Sequence, residues 1–388
     1  MRRGPWLIVG AAAALVALGC LGIARCEELS GGSGRYLRQQ IVWAVLAALV
    51  CAMVSVPNYR KLGRWSFALF LLAIVLLLLV YLFPPINGSR RWLRIGPLGF
   101  QPSELAKVAC VLVVARSLMN RPVWTGAAAL MAPIGLTMAP VLLILREPDL
   151  GTALVFLPVV LMMLVAAGLR RSQFLALALA GLVAMPVLWS QMSLEQQSRV
   201  TSLFEQAGPA EAATGDGYHL RQAKQVLALG GFWGSLLAGP AVEDSAAYHL
   251  PEARSDFIFC VLKERLGLPG VALVLGLYAA MVWQGLEIAA ATSEPFGRLT
   301  AVGLSSLVGV QVLINTGMNV GLLPITGLSL PLVSYGGSGL VSHGLLLGLL
   351  INIGMRPGYE VAREPFRDPG NSMAPTGRFR SGRARASR

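Results

Sequence analysis

Apolar residues run along this chain in blocks of about twenty, separated by short polar breaks. A helix rises about 1.5 Å per residue, so roughly 20 apolar residues cross a hydrocarbon core about 30 Å thick. Ten blocks reach or approach that length: 6–25, 38–56, 65–84, 102–119, 125–145, 150–168, 172–190, 266–289, 298–317 and 338–355. The pattern predicts an all-α, polytopic membrane helical bundle with about ten transmembrane helices. The first block runs from Trp6 to Ala24. A signal-peptide core is only about 7–15 residues long, so this block reads as a retained helix, although Leu15 to Cys20 resembles a lipoprotein cleavage site.

Two segments interrupt the rhythm. The stretch 85–101 carries Arg90, Arg91 and Arg94 and separates the third and fourth blocks. The stretch 191–255 is a large loop between the seventh and eighth. It holds seven acidic residues, Glu195, Glu205, Glu211, Asp216, Glu243, Asp244 and Glu252, and four basic ones, Arg199, Arg221, Lys224 and Arg254. Loops of that length are usually functional or disordered. Part of this one, VLALGGFWGSLLAGP (226–240), is too apolar for disorder and reads as a segment dipping into the membrane interface.

Composition agrees with a membrane class. Hydrophobic residues make up 55% of the 388, and charged residues 13%, against roughly 25% charged in soluble domains. The net charge of +13 would suggest nucleic acid in a soluble protein. Here Lys and Arg mark loops on one side of the membrane, and no interleaved aromatic and basic pattern supports a nucleic-acid partner. Arg60, Lys61, Arg64, Arg170, Arg171 and the arginine-rich tail share one side if the helix count is even, together with Arg2 and Arg3. Both termini are then cytoplasmic and loop 191–255 is extracytoplasmic. Residues 1–356 form the transmembrane domain. Residues 357–388 form a basic tail rich in Pro, Gly and Ser that reads as disordered and able to touch membrane lipids. The five cysteines, Cys20, Cys26, Cys51, Cys110 and Cys260, form neither a disulfide framework nor a metal motif.

Charges inside or beside apolar helices are costly and rare. Glu104 and Lys107 stand three residues apart in the fourth block, on one helix face. They suit a structural ion pair or the wall of an active site equally well. Arg146, Glu147 and Asp149 form a turn between the fifth and sixth blocks whose charges can pair with one another. Gln222 and Lys224 precede the apolar part of the large loop, where a lysine can meet a phosphate. The Gly-rich runs at 315–319 and 330–338 hold no acid or base and point to irregular backbone that shapes a cavity.

Asp256 is the last charge before an apolar run, in HLPEARSDFIFCVL (249–262). Glu252 shares its face if the segment is helical, and Ser255 is the neighbouring hydroxyl. A carboxylate at that depth suits a general base, a divalent-cation ligand or an ion pathway, with a structural carboxylate as the plain alternative. Lys263, Glu264 and Arg265 read as the next membrane boundary.

Together these stretches resemble the SEDS family (shape, elongation, division and sporulation), the RodA and FtsW proteins of bacteria. The similar motifs are RRWLRIGPLGFQPSELAKVA (90–109), EPDLGTAL (147–154), GYHLRQAK (217–224), LPEARSDFIFCVLKERLG (250–267) and NTGMNVGLLPITGLSLPLVSYGGSG (315–339). The resemblance implies a peptidoglycan glycosyltransferase in the bacterial cytoplasmic membrane, polymerising lipid II into glycan strands at the outer face. It implies a class B penicillin-binding protein as transpeptidase partner, and Mg or Mn as a candidate divalent cation. By motif, Asp256 is the catalytic general base. Arg91, Glu104, Lys107, Gln222, Lys224, Glu252 and Ser255 are substrate-binding positions, and Asp256 is also the candidate metal ligand. NTGMNVGLLPITG lies nearer the elongation branch. A septal polymerase and a lipid II flippase are the alternatives, the second without support from internal repeats. The chain departs from the family at Arg254-Ser255, where His-Thr is common. A cation at Arg254 is expected to lower the Asp256 pKa and weaken the base.

Overall fold

The computed structural model describes residues 5–84, 90–95, 98–119, 128–204, 216–242 and 245–356. The tail from 357, with its arginine run, and Arg2 and Arg3 lie outside the described residues, as do Glu205, Glu211, Glu243 and Asp244.

Helices occupy all ten apolar blocks. They are α1 (Trp6–Leu29), α2 (Arg35–Ser55), α4 (Ser66–Val80), α5 (Pro102–Leu118), α6 (Ala128–Arg146), α7 (Leu150–Ala166), α8 (Arg171–Gln191), α12 (Ile258–Ala291), α13 (Pro295–Asn319) and α14 (Gly337–Met355). Among the described residues, six are long and apolar enough to cross a membrane, namely α1, α2, α6, α12, α13 and α14. Three further apolar segments, in α4, α7 and α8, are shorter. Local chemistry sets several ends. Asn58 caps the short α3 (Tyr59–Arg64), Asp149 caps α7 and Glu294 caps α13, each accepting a backbone N–H. Proline opens α5 and α13, where a missing N–H costs nothing.

α5 and α13 form the centre, buried along most of their length. α1 packs on α12, α14 on α2, and α13 on α5 and α7. The outward faces of α2, α4 and α8 are apolar and exposed, including Val42, Leu49, Leu71, Leu175 and Val183. A lipid-facing surface has that composition.

Two findings differ from the sequence reading. The stretch after α4 contains two three-residue strands, β1 (Leu93–Ile95) and β2 (Leu98–Phe100), paired antiparallel with Leu93 opposite Phe100. Gly96-Pro97 between them is turn chemistry in sequence. The second difference concerns α12, which starts at Ile258 rather than near 266 and carries a break at Gly267 with φ 68°. Lys263, Glu264 and Arg265 therefore stand in the helical turn directly before the break. The break needs glycine, because a Cβ there would lie 2.2 Å from the Phe232 carbonyl oxygen.

The large loop is structured where described. It contains α9 (Leu194–Phe204), α10 (Asp216–Leu229), α11 (Ser235–Ala238) and a 3-10 turn at Ser245–Tyr248. α10 buries Leu220, Ala223 and Val226 against Leu250, Phe257 and Cys260. Phe232, Trp233, Leu236 and Leu237 are exposed, as an interfacial segment requires.

Candidate active site

Asp256 sits at one end of the bundle, in the turn that precedes α12. The N-termini of α5, α7 and α14 and the C-termini of α1 and α13 meet at this end. Its backbone is fixed by neighbours that the Gly-rich motifs supply. Asn315 and Asn319, one helical turn apart on α13, both donate to the Asp256 carbonyl, at 2.9 and 3.2 Å. Asn315 also donates to the Leu328 carbonyl at 2.7 Å. Ser334 donates to the Ser255 carbonyl and accepts from the Leu330 N–H, and the Tyr335 N–H donates to the Arg254 carbonyl at 2.8 Å. The sequence reading gave these motifs a shaping role. The bonds show the object shaped, the backbone of residues 254–256. α1 allows the approach through Gly19, where a Cβ would lie 2.4 Å from the Val333 carbonyl oxygen.

The Asp256 side chain is half-buried. Burial pushes its carboxyl up to about 7, and repulsion from Glu252 and Asp149 adds to the rise, while Arg199 and Arg91 oppose it. Arg254 is not among these charges. Its guanidinium lies 3.7 Å from the centroid of the Tyr36 ring, which packs edge-on against Tyr335. The expectation that Arg254 lowers the Asp256 pKa is therefore corrected. The cation is held by an aromatic face, and the carboxyl moves up.

Residues 251–257 form turns rather than a regular helix, and Glu252 has φ 51°. Glu252 is exposed and accepts from the Ser255 hydroxyl at 2.9 Å, while its field still reaches Asp256. Ser255 is thus oriented by Glu252 at its hydroxyl and by Ser334 at its carbonyl.

Arg91 donates to the backbone carbonyls of Glu147 and Pro148, and so pins the turn before α7 beside Asp256. In that turn Asp149 accepts from the Thr152 N–H and hydroxyl, at 3.1 and 2.9 Å, and from Gln101 at 3.3 Å. Glu147 is 1% exposed, and among the described residues neither of its carboxyl oxygens has a hydrogen-bond partner. Burial pushes it up to about 8, with Asp149 adding repulsion and Arg91 opposing. The charges of this turn do not pair with one another as the sequence reading allowed. Asp149 serves as a helix cap, and a neutral acid is the cheaper buried form of Glu147.

Glu104 and Lys107 pair at 2.8 Å, both buried in α5. Among the described residues Glu104 Oε2 has no hydrogen-bond partner, and it stands near Gly339, with the His343 ring also close. The pair thus lies between the entry loop of α14 and the bundle interior. Gln222 and Lys224 lie on α10, which packs against Phe257 beside Asp256. Gln222 donates to the Tyr218 hydroxyl at 3.1 Å, and Lys224 is on the exposed side. The buried face of α10 carries apolar residues.

Sequence reasoning missed Arg199 and Asp149 as neighbours of Asp256. Arg199 lies in a polar helix and reads as solvated charge, and Asp149 reads as part of a self-paired turn. An inward spacing of Gln196, Arg199 and Ser202 is the signal that pattern could have used. Among the described residues, no three His, Cys, Asp or Glu side chains converge as a cation ligand set.

The family model for FtsW, RodA and SpoVE, described as "Cell cycle protein", matches residues 5–357. A probable peptidoglycan glycosyltransferase FtsW of Alkalilimnicola ehrlichii is 34% identical over 377 residues, covering 94% of this chain and 90% of the relative. The peptidoglycan glycosyltransferase MrdB of Escherichia coli is 37% identical over 324 residues, covering 81% and 83%. A solved structure described as "Structural coordination of polymerization and crosslinking by a peptidoglycan synthase complex" superposes with a TM-score of 0.77 at 31% identity, covering 92% of this chain and 98% of the other.

Proposed function

Because the chain belongs to the FtsW, RodA and SpoVE family, we propose that it is a peptidoglycan glycosyltransferase that polymerises lipid II at the outer face of the bacterial cytoplasmic membrane. The observation that carries this reading is the environment of Asp256. It is a half-buried carboxyl at about 7, faced by two arginines and fixed through its backbone by α13 and the loop after it. A general base works best with a pKa near the working pH.

In the proposed step, the acceptor sugar hydroxyl attacks the anomeric carbon of the lipid-linked donor. Asp256 takes the hydroxyl proton, and a new glycosidic C–O bond forms. The anomeric C–O bond to the pyrophosphate breaks, and undecaprenyl pyrophosphate leaves with the bonding pair. One direct displacement inverts the configuration, by analogy with inverting hydrolysis. Arginine stabilises the departing charge where water is excluded. Glu104 and Lys107 line the inner wall, Glu252 orients Ser255, and Gln222 and Lys224 belong to the outer approach of the substrate. Mg2+ or Mn2+ would be held by Asp256 together with the substrate phosphates, since such ions commonly combine one or two carboxylates with phosphates. No step above depends on it. A class B penicillin-binding protein is the proposed partner. The synthase complex that the chain resembles couples polymerisation to crosslinking by its own description.

The proposed role is cell elongation, on the motif NTGMNVGLLPITG (315–327). A septal role is the second reading, favoured by the long match to an FtsW relative. Complementation separates them: rescue of rod shape supports elongation, and rescue of a filamenting division mutant supports the septal role.

The test of the enzyme is polymerisation of labelled lipid II by the purified protein with its partner. The wild type should give long glycan and Asp256→Asn none. Full-rate polymerisation by Asp256→Asn would sink the assignment. Growth rescued by Asp256→Ala would point to a scaffold, and lipid II translocation without polymer to a flippase.

A further inference from the structure

Gln311, Asn315 and Asn319 stand four residues apart on α13 and share one face. All three are fully buried. From this face Asn315 and Asn319 hold the Asp256 carbonyl. Gln311 lies one turn deeper and meets α14. There His343 Nε2 lies 3.2 Å from Gln311 Oε1, and His343 Nδ1 lies 2.7 Å from the Gly339 carbonyl oxygen. A carbonyl oxygen only accepts, so Nδ1 carries a proton. A side-chain amide can present its oxygen or its N–H to Nε2, so the contact survives in both charge states of the ring. The charges that act on the ring are Glu104 and Lys107 of α5. The same stretch of α14 also touches α5, where the Ser342 hydroxyl donates to the Glu104 carbonyl at 2.9 Å.

The plain reading of a buried His–Gln contact is two core polar groups satisfying each other. Its place on α13 argues for more. Farther from Asp256, α13 meets α5 and α7 at Gly303, where a Cβ would lie 2.6 Å from Val111 Cγ1 and 2.7 Å from Met163 Sδ. That contact is apolar and non-directional, so it sets the distance between helices and tolerates rotation. A hydrogen bond is directional. A helix turns about 100° per residue, so a modest rotation of α13 carries the Asn315 and Asn319 amides away from the Asp256 carbonyl. Gln311 stands on the same face as both and is tied to a different helix.

We propose that Gln311 and His343 are positioning residues for Asp256. Their contact fixes the rotation of α13 about its axis, and with it the two amides that hold the Asp256 carbonyl. The inference rests on the reaction proposed above, in which Asp256 is the base.

The experiment reads the Asp256 carbonyl directly. Asp256-Phe257 is the one Asp-Phe step in the sequence, so carbonyl-13C aspartate combined with 15N phenylalanine gives a single NMR signal for it in the purified full chain. Gln311→Leu and His343→Leu should each move that carbonyl upfield, as the amides of α13 withdraw. His343→Gln keeps a polar partner for Gln311 and should leave the signal near its wild-type position. In the partner complex, kcat for lipid II polymerisation should fall about tenfold in both leucine variants with KM little changed. That loss lies within the roughly hundredfold that a misplacement of about 1 Å can cost. His343→Gln should recover most of kcat. An unmoved carbonyl in Gln311→Leu would overturn the inference. So would a moved carbonyl with wild-type kcat, a loss carried by KM, or a His343→Gln variant as defective as His343→Leu. If the leucine variants fail to fold, the exchange of Gln311→His with His343→Gln decides: a wild-type signal and rate support the assignment, and a shifted signal overturns it. The carbonyl is read without turnover, so the expected shifts in a protein that polymerises nothing would keep the contact's role and sink the polymerase reading alone.

Discussion

Asp256 and Glu147 are two carboxyls raised by the same cause, with opposite consequences. Asp256 faces two arginines and a gap at Gly327, so at about 7 it can exchange its proton with a substrate. The base acts when deprotonated, so kcat/KM should rise with pH through about 7 and flatten above it. Glu252 adds to the rise, so Glu252→Gln should move that limb to lower pH. A limb near 4, the usual carboxylate value, would show that Asp256 is solvated during turnover. Among the described residues Glu147 has no hydrogen-bond partner, and it sits at about 8. Its folded pKa exceeds its unfolded value, so the folded state binds the extra proton between about 4.3 and 8 and stability falls as pH rises through that window. Glu147→Gln mimics the neutral acid. It should raise stability at pH 8 by roughly 1–3 kcal/mol and remove the pH slope, both read from thermal unfolding in detergent. A variant less stable than wild type at pH 8 would mean that the ionised carboxylate has a ligand. Asp256 was legible in sequence because a lone acid before an apolar run is expensive. Arg199 was not, because a charge within a polar helix looks the same whether it faces water or the site.

Helix blocks are legible because about twenty apolar residues have few other uses. The exception is α12, whose helix begins at Ile258, before Lys263-Glu264-Arg265. Glu264 is 1% exposed and receives a two-point contact from Arg25, at 3.0 and 3.2 Å. This bond ties α1 to the first turns of α12, directly after the turn that carries Asp256. A sequence shows two charges far apart and cannot show that they meet. Breaking such a buried pair on one side leaves a charge without compensation, at about 3–5 kcal/mol. Arg25→Ala should therefore lower the unfolding temperature strongly and reduce polymerisation through misplacement of Asp256. Arg25→Met combined with Glu264→Leu should recover most of the stability, since apolar replacements of similar volume are tolerated. A double variant no better than Arg25→Ala would show that the contact contributes something beyond mutual neutralisation. The strands β1 and β2 were missed for another reason: three-residue strands are too short for an alternating pattern to register.

Across the whole molecule, charge is divided between the two ends of the bundle. The end away from Asp256 carries Arg60, Lys61 and Arg64, with Arg60 near Glu294 at 3.9 Å, and Arg170 and Arg171 at the start of α8. These are short-loop cations of the kind that fix orientation. The Asp256 end is also rich in cations, but several have local partners. Arg25 meets Glu264, Arg91 meets two carbonyls, and Arg254 meets Tyr36. Loop cations at the end away from Asp256 are the basis of the proposed orientation, in which the Asp256 end faces out. Gln225 is exposed on α10 at the Asp256 end, and Lys61 is exposed on α3 at the other. In cells whose version of the protein has its five native cysteines replaced, Gln225→Cys should react with a membrane-impermeant maleimide applied outside. Lys61→Cys should react only after permeabilisation. The reverse pattern would put Asp256 on the cytoplasmic side, where a polymer of the external wall cannot be made, and would overturn the orientation and the proposed reaction together.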